Sequence, residues 1–273
     1  MSAIRGGCSS ELRDEANVVR HSKSWGNAVS TTSAQARFAT AHWLRFPGVV
    51  TPEDLSLTES PEACLSWKIG PDGPVGPNGY RLPSNVWGGV ALYADRSAAE
   101  AAFAESERYL PFLADTAESW HALLLPIAHR GECNHLDRLG PRLIFEPSTE
   151  DPGGPLFVMT TAGYVMGPDL DLERVIDFRV HVDKVHEWLQ SAEGRIASQV
   201  FTPHTVGDDG VTMSLWRSDT AMIDTMYRPG LHRTQIDRHR RENLADRTSF
   251  TRFRVLQTRG RWNGSDPFEA AVA

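Results

Sequence analysis

The segment Arg228-Pro229-Gly230-Leu231-His232-Arg233-Thr234-Gln235-Ile236-Asp237-Arg238-His239 holds the residues best suited to chemistry. A Pro-Gly break is followed at once by a histidine at the opening of a helical stretch. A helix aims such a side chain, and the positive end of its dipole disfavours the imidazolium form. Ile236 and His239 recur on the same face. A neutral imidazole fixed on a semi-apolar face is what an iron porphyrin needs as an axial ligand. The plain alternative is a histidine that caps its helix or sits half exposed.

Few other chemistries have support. There is no GxGxxG after a strand, no P-loop, no GxSxG and no HExxH, so nothing points to nucleotide-dependent or hydrolytic chemistry. Cys8, Cys64 and Cys133 are far apart without CxxC spacing, which argues against a disulfide framework and a zinc site. Reduced thiols fit a cytoplasmic protein. Asp208 and Asp209 fall in the turn Gly207–Gly210 and are expected to be solvated. The formal net charge of −7 argues against a nucleic-acid partner. No apolar run is long enough to span a bilayer, and Glu11, Asp14 and Glu15 stand where a signal peptide would be apolar.

The elements that must position these residues follow from periodicity. Residues 1–32 read as a disordered tail. Strands are predicted at Ala36–Phe46, Val86–Tyr93 and Trp120–Ile127, with a helix at Ser97–Tyr109. Gly48–Leu82 is broken by Pro and Gly. Residues 131–170 read as a linker. Beyond it, Val175–Val182 alternates as a half-buried strand does, and Lys184–Ser191 reads as a short helix. Strands Ile196–Phe201 and Val211–Trp216, helices Asp219–Tyr227 and Leu231–Leu244, and strand Phe250–Thr258 complete the chain. The second half, 171–268, is thus β-α-β-β-α-β, the ferredoxin-like plan. The first half, 33–130, fits the same plan if the Pro/Gly region replaces its first helix. The fold class is therefore α+β, two ferredoxin-like repeats packed as a dimeric-α/β-barrel-like unit.

The stretch from Val211 to Phe268 resembles the C-terminal part of the spheroidene monooxygenase family, carotenoid-oxidising enzymes. The matching features are a Ser-x-Trp strand end, Pro229-Gly230 with a following His, an Arg-x-Glu-Asn helix end, and Gly260-Arg261-Trp262-Asn263-Gly264-Ser265-Asp266-Pro267. In the first half, Trp67-Lys68-Ile69, then Gly73, Gly76, Gly79-Tyr80 and Val86-Trp87, resemble the family's Trp-Lys, Gly-rich, Val-Trp run. The resemblance implies a haem b cofactor, an oxidation linked to O2 and an electron donor, and a small or apolar substrate. It points to His232 as the iron ligand, with Trp67, Lys68, Gly76 and Gly79 lining the haem pocket. His181, Arg179 and Arg254, on predicted strands of the same half, are the candidates for catalytic residues across that pocket. The first closing strand ends Arg130-Gly131-Glu132-Cys133, without the Trp present at 262, which leaves the substrate open, for instance to a specialised metabolite. A cofactor-independent oxygenase of similar fold and a non-catalytic carrier of haem or another apolar ligand are the alternatives. A homo-oligomer is compatible with each.

Overall fold

Trp120–Leu124 is buried on both faces of its strand, which demands cover on each side of a sheet. The structure, a computed structural model, describes residues 34–55, 63–132, 143–165, 167–203 and 209–272. The segment read as a tail lies outside them, as do Gly207 and Asp208. In chain order the elements are β1 (Ala34–Ala36), β2 (Phe38–Val50), β3 (Ser66–Pro71), β4 (Ser84–Tyr93), α1 (Arg96–Ala104), α2 (Ser106–Tyr109), a 3-10 turn (Pro111–Asp115), β5 (Glu118–Gly131), β6 (Leu143–Phe145), β7 (Leu156–Gly163), α3 (Leu172–Leu189), β8 (Arg195–Phe201), β9 (Gly210–Trp216), α4 (Asp219–Tyr227), α5 (Leu231–Glu242), β10 (Arg247–Gly260) and α6 (Pro267–Val272).

Eight strands form one antiparallel sheet in the order β3-β4-β2-β5-β10-β7-β9-β8, while β1 and β6 pair in parallel apart from it. The β5–β10 ladder joins the two halves, running from Ser249↔Gly131 to Gly260↔Trp120 with two register shifts. Counted outward from this seam, each half places its own strands in the order fourth, first, third, second. The sheet curls until its edges approach. A Cβ on Gly70 of β3 would strike the backbone of Thr202 just past β8, and one on Gly88 of β4 would strike the ring of Phe201. Glycine at these positions lets the edges come so close.

The main core contains residues from both ends of the sheet, so it fills the inside of the curl. Trp43 and Trp120 face each other across β2 and β5 with ring centroids 4.5 Å apart, and Phe157 stacks on Trp120 at 6.4 Å. All three rings are fully buried, each contributing roughly 1.5–3 kcal/mol. Helices cover the outer face. Over the first half, α1 is capped by the Asp95 side chain and buries Ala99, Ala102 and Phe103 against Ala91, Tyr93 and Leu123. Over the second half, Leu189 of α3 and Met222 and Met226 of α4 pack on Leu156, Val158 and Trp216.

The α+β class stands, but two elements differ from expectation. Val175–Val182 is not a strand; it is the middle of α3. Asp171 caps that helix through the amide of Arg174, and its buried residues Val175, Arg179 and Leu189 follow helical spacing. The first strand of the second half is instead β7, inside the segment read as a linker. Its run Leu156-Phe157-Val158-Met159 is buried on both faces, as a central strand must be. Likewise β3 lies within the Pro/Gly-rich stretch of the first half.

Candidate functional site: a cavity under α3 and α5

The alternation that sends Phe157, Met159, Met213 and Leu215 inward leaves Thr160, Ala162, Thr212 and Ser214 on the outer face of β7 and β9. Helices laid over such small side chains leave room. The room is a cavity of about 440 Å³ between these strands and α3 and α5, within the range of roughly 300–1,000 Å³ typical of small-molecule sites. Val158, Val185, Leu189, Ile236 and Phe250 supply apolar wall.

His232 lines this cavity. It is the second residue of α5, after an N-cap at Gly230 that has no side chain to cap with. Its Nδ1 lies 2.9 Å from the carbonyl oxygen of Met226, in the last turn of α4. A carbonyl only accepts, so Nδ1 carries the proton and Nε2 keeps the lone pair. That carbonyl is one of those a helix end leaves without an internal partner. Among the described residues Nε2 makes no hydrogen bond. Burial lowers the His232 pKa below that of a free imidazole, opposed by the bond to Met226. The ring is therefore neutral at pH 7 with its free nitrogen unclaimed.

His181 and Arg179 also line the cavity, from α3 and not from a strand. His181 is held by its neighbours: Nδ1 lies 2.7 Å from the carbonyl oxygen of Asp177 and the ring sits 3.2 Å from Arg238, which is itself paired with Asp177 at 2.7 Å. Arg179 is buried, donates to the carbonyl of Gly79, and lies 5.2 Å over the ring of Tyr80. His239 lines the cavity one face-repeat beyond His232, and its Nδ1 is buried with no hydrogen-bond partner among the described residues.

The remaining candidates lie elsewhere. Arg254 is not in the cavity wall; it bridges Asp151 at 2.6 Å and Asp219 at 2.7 Å. Trp67 packs edge-on against His42 at 5.5 Å, and Lys68 is buried opposite Val90 of β4. Gly76 and Gly79 sit in a loop whose turn is closed by the bonds Gly76 N to Tyr80 O and Gly79 N to Gly76 O. None of these four lines the cavity. Asp209, expected in solvent, is buried and pairs with Arg247 at 2.6 Å.

The fold matches known structures without matching a sequence family. The chain is similar in fold to an aldoxime dehydratase. The likeness to that enzyme, solved in complex with butyraldoxime, has a TM-score of 0.50 at 10% identity, over 85% of this chain and 84% of the other. A candidate monooxygenase from Fusobacterium nucleatum (TM-score 0.37, 11% identity, 85% and 96% covered) and an anthrone oxidase-like protein (0.31, 15%, 85% and 96%) are more distant. No family model matches the chain, and no curated protein matches it in sequence.

Arg81, Arg130 and His186 also line the cavity. Arg81 is buried and held by Asp183 and by the Gly73 carbonyl at 2.6 Å. Burial lowers the His186 pKa. These residues come from the first half, the seam strand and α3, so no local motif joins them. Among the described residues no three His, Cys, Asp or Glu cluster as a metal site would require, and no helix is long and apolar enough to cross a membrane.

Proposed function

We propose that the chain is a haem-dependent monooxygenase, or a related haem-dependent oxidative enzyme, acting on a small or apolar metabolite. One observation carries the reading: a neutral His232 lines a cavity with an apolar wall, its Nδ1 tied to Met226 and its Nε2 unbonded among the described residues. The donor set fits the group, because a haem iron asks the protein for one imidazole and its second nitrogen is normally fixed by a carbonyl or carboxylate. The repeated strand order of the two halves supports two ferredoxin-like units, and the likeness of Val211–Phe268 to spheroidene monooxygenases agrees with it.

When bound, haem would supply the redox chemistry with O2 and an electron donor. The chain's own residues would do the rest. His232 holds the group through Nε2, and the Met226 carbonyl keeps its ring from rotating. Val158, Val185 and Phe250 take up an apolar body and exclude water. His181, with Nδ1 on the Asp177 carbonyl and Nε2 facing Arg238, would help orient a ligand in the same space. The test is to express the full chain with a haem precursor and to follow O2 consumption with a chemical reductant. Haem retention with substrate-dependent O2 uptake supports the enzyme. Haem retention without turnover of any apolar substrate would make it a carrier.

A further inference from the structure

We propose that the cavity takes its ligand as an anion, receiving a carboxylate on an apolar body at Arg179. This rests on the cavity being the ligand site, and does not require iron. The chain carries a net charge of −7, yet five arginines and four histidines line the cavity and no aspartate or glutamate does. Three of the five arginines are answered by carboxylates, and Arg130 is exposed and donates to the Tyr227 hydroxyl at 2.9 Å. Arg81 pairs with Asp183, Arg233 with Asp237 at 3.0 Å, and Arg240 with Asp237 at 3.5 Å. Arg179 is different. It is 9% exposed, and among the described residues no carboxylate lies within ion-pair distance of it. Its bond to the Gly79 carbonyl occupies one nitrogen and neutralises no charge. Asp209, the acid nearest in influence, is already engaged by Arg247.

A buried, uncompensated guanidinium is costly unless something anionic joins it. Its planar fork matches a carboxylate in two parallel bonds. The apolar wall of Val158, Val185, Leu189 and Ile236 asks for a hydrocarbon body on the same molecule. Two sources share this chemistry: a carboxylate of the substrate, or the propionates of a porphyrin.

Calorimetric titration of the haem-free full chain with decanoate and with decanol tests the claim. Decanoate is expected to bind about tenfold or more tighter than decanol, and Arg179→Met to remove that preference, as loss of a charge-assisted pair predicts. Arg179→Lys, which keeps the charge and loses the fork, should retain part of it, and still decides the matter if Arg179→Met does not fold. Parallel titrations with haem and haem dimethyl ester separate the sources. If the propionates are the anion, haem blocks decanoate and Arg179→Met weakens haem but not its ester. If the substrate is, decanoate binds the haem-loaded protein and both porphyrins titrate unchanged in the variant. Decanoate binding in a chain that takes up no haem would sink the haem reading and leave this one standing. Equal affinity for decanoate and decanol, with haem and its ester also alike, would overturn the proposal.

Discussion

His42 and His121 are direct partners across β2 and β5, and their Nδ1 atoms lie 2.8 Å apart in the buried outer face of the first half. One ring must donate and the other accept, so the contact holds two neutral imidazoles and excludes two charged ones. Thr40 Oγ1, at 2.9 Å, engages the other nitrogen of His42. Burial is the main cause holding both pKa values down, with repulsion from Arg259 added; His121 is lowered to about 4 and His42 lies well below the usual value.

The sign of the resulting pH dependence follows from proton binding. Between the folded value and the unfolded value near 6.5, the unfolded chain binds more protons, so stability rises with pH. Melting temperature should be flat above about pH 7 and fall as pH drops from about 6.5 towards 4. His121 alone accounts for a loss on the order of 3 kcal/mol. The double variant His42→Leu, His121→Leu should melt with a flatter acid profile. An unchanged profile would remove the pair as the cause.

Gly79 has a φ of +80°, and a Cβ there would lie 3.0 Å from Val175 Cγ1 of α3. Gly79→Ala therefore meets both left-handed backbone strain, about 1–3 kcal/mol, and a tight contact with the helix roof. Its main effect should be a lower denaturation midpoint, with cavity ligands binding normally to the molecules that remain folded. Loss of binding at unchanged stability would return this loop to the role its resemblance implied.

Arg254 serves as a test of what lies outside the site. Its side chain is 8% exposed, and Asp151 and Asp219 both pair with it; Asp151 is lowered to about 2 chiefly by this bond. Arg254→Met should lower the melting temperature and leave haem uptake intact. A variant of normal stability that cannot turn over substrate would reinstate Arg254 as a catalytic group.

Thr160→Phe would place a ring on the cavity floor, where the small side chain now leaves room. We expect ligand and haem uptake to fall at least about tenfold, with stability changed by no more than about 1–3 kcal/mol, the usual range for an enlarged side chain. Uptake equal to wild type would show that the occupied site is not this cavity.

The second-half elements after α3 were legible because their signals are local. Asp219–Tyr227 follows a serine that caps it, and β9 and β10 alternate apolar with polar residues. Residues 175–182 mimic a strand for a physical reason. Ile176, Phe178, Val180 and Val182 alternate over a short window, but that pattern overlaps a helical one that emerges only over all of α3. With β7 inside a stretch that reads as a linker, the floor of the cavity is invisible in the sequence. His232 was legible because Pro229-Gly230 punctuates the chain just before it. Arg81 and His186 were not, since only the curl of the sheet and the packing of α3 bring them to the same space. The His42–His121 contact likewise needs the β2–β5 register, which no pattern in either strand reveals.

The absorption spectrum of the full chain titrated with haem, wild type beside His232→Ala, bears most directly on the central claim. A saturable Soret band with a histidine-ligated signature in the wild type, lost or converted to a weakly ligated form in the variant, is the expected result. A wild type that shifts the haem spectrum no more than an unrelated protein does, or a variant with the same ligand-field bands as the wild type, would contradict it.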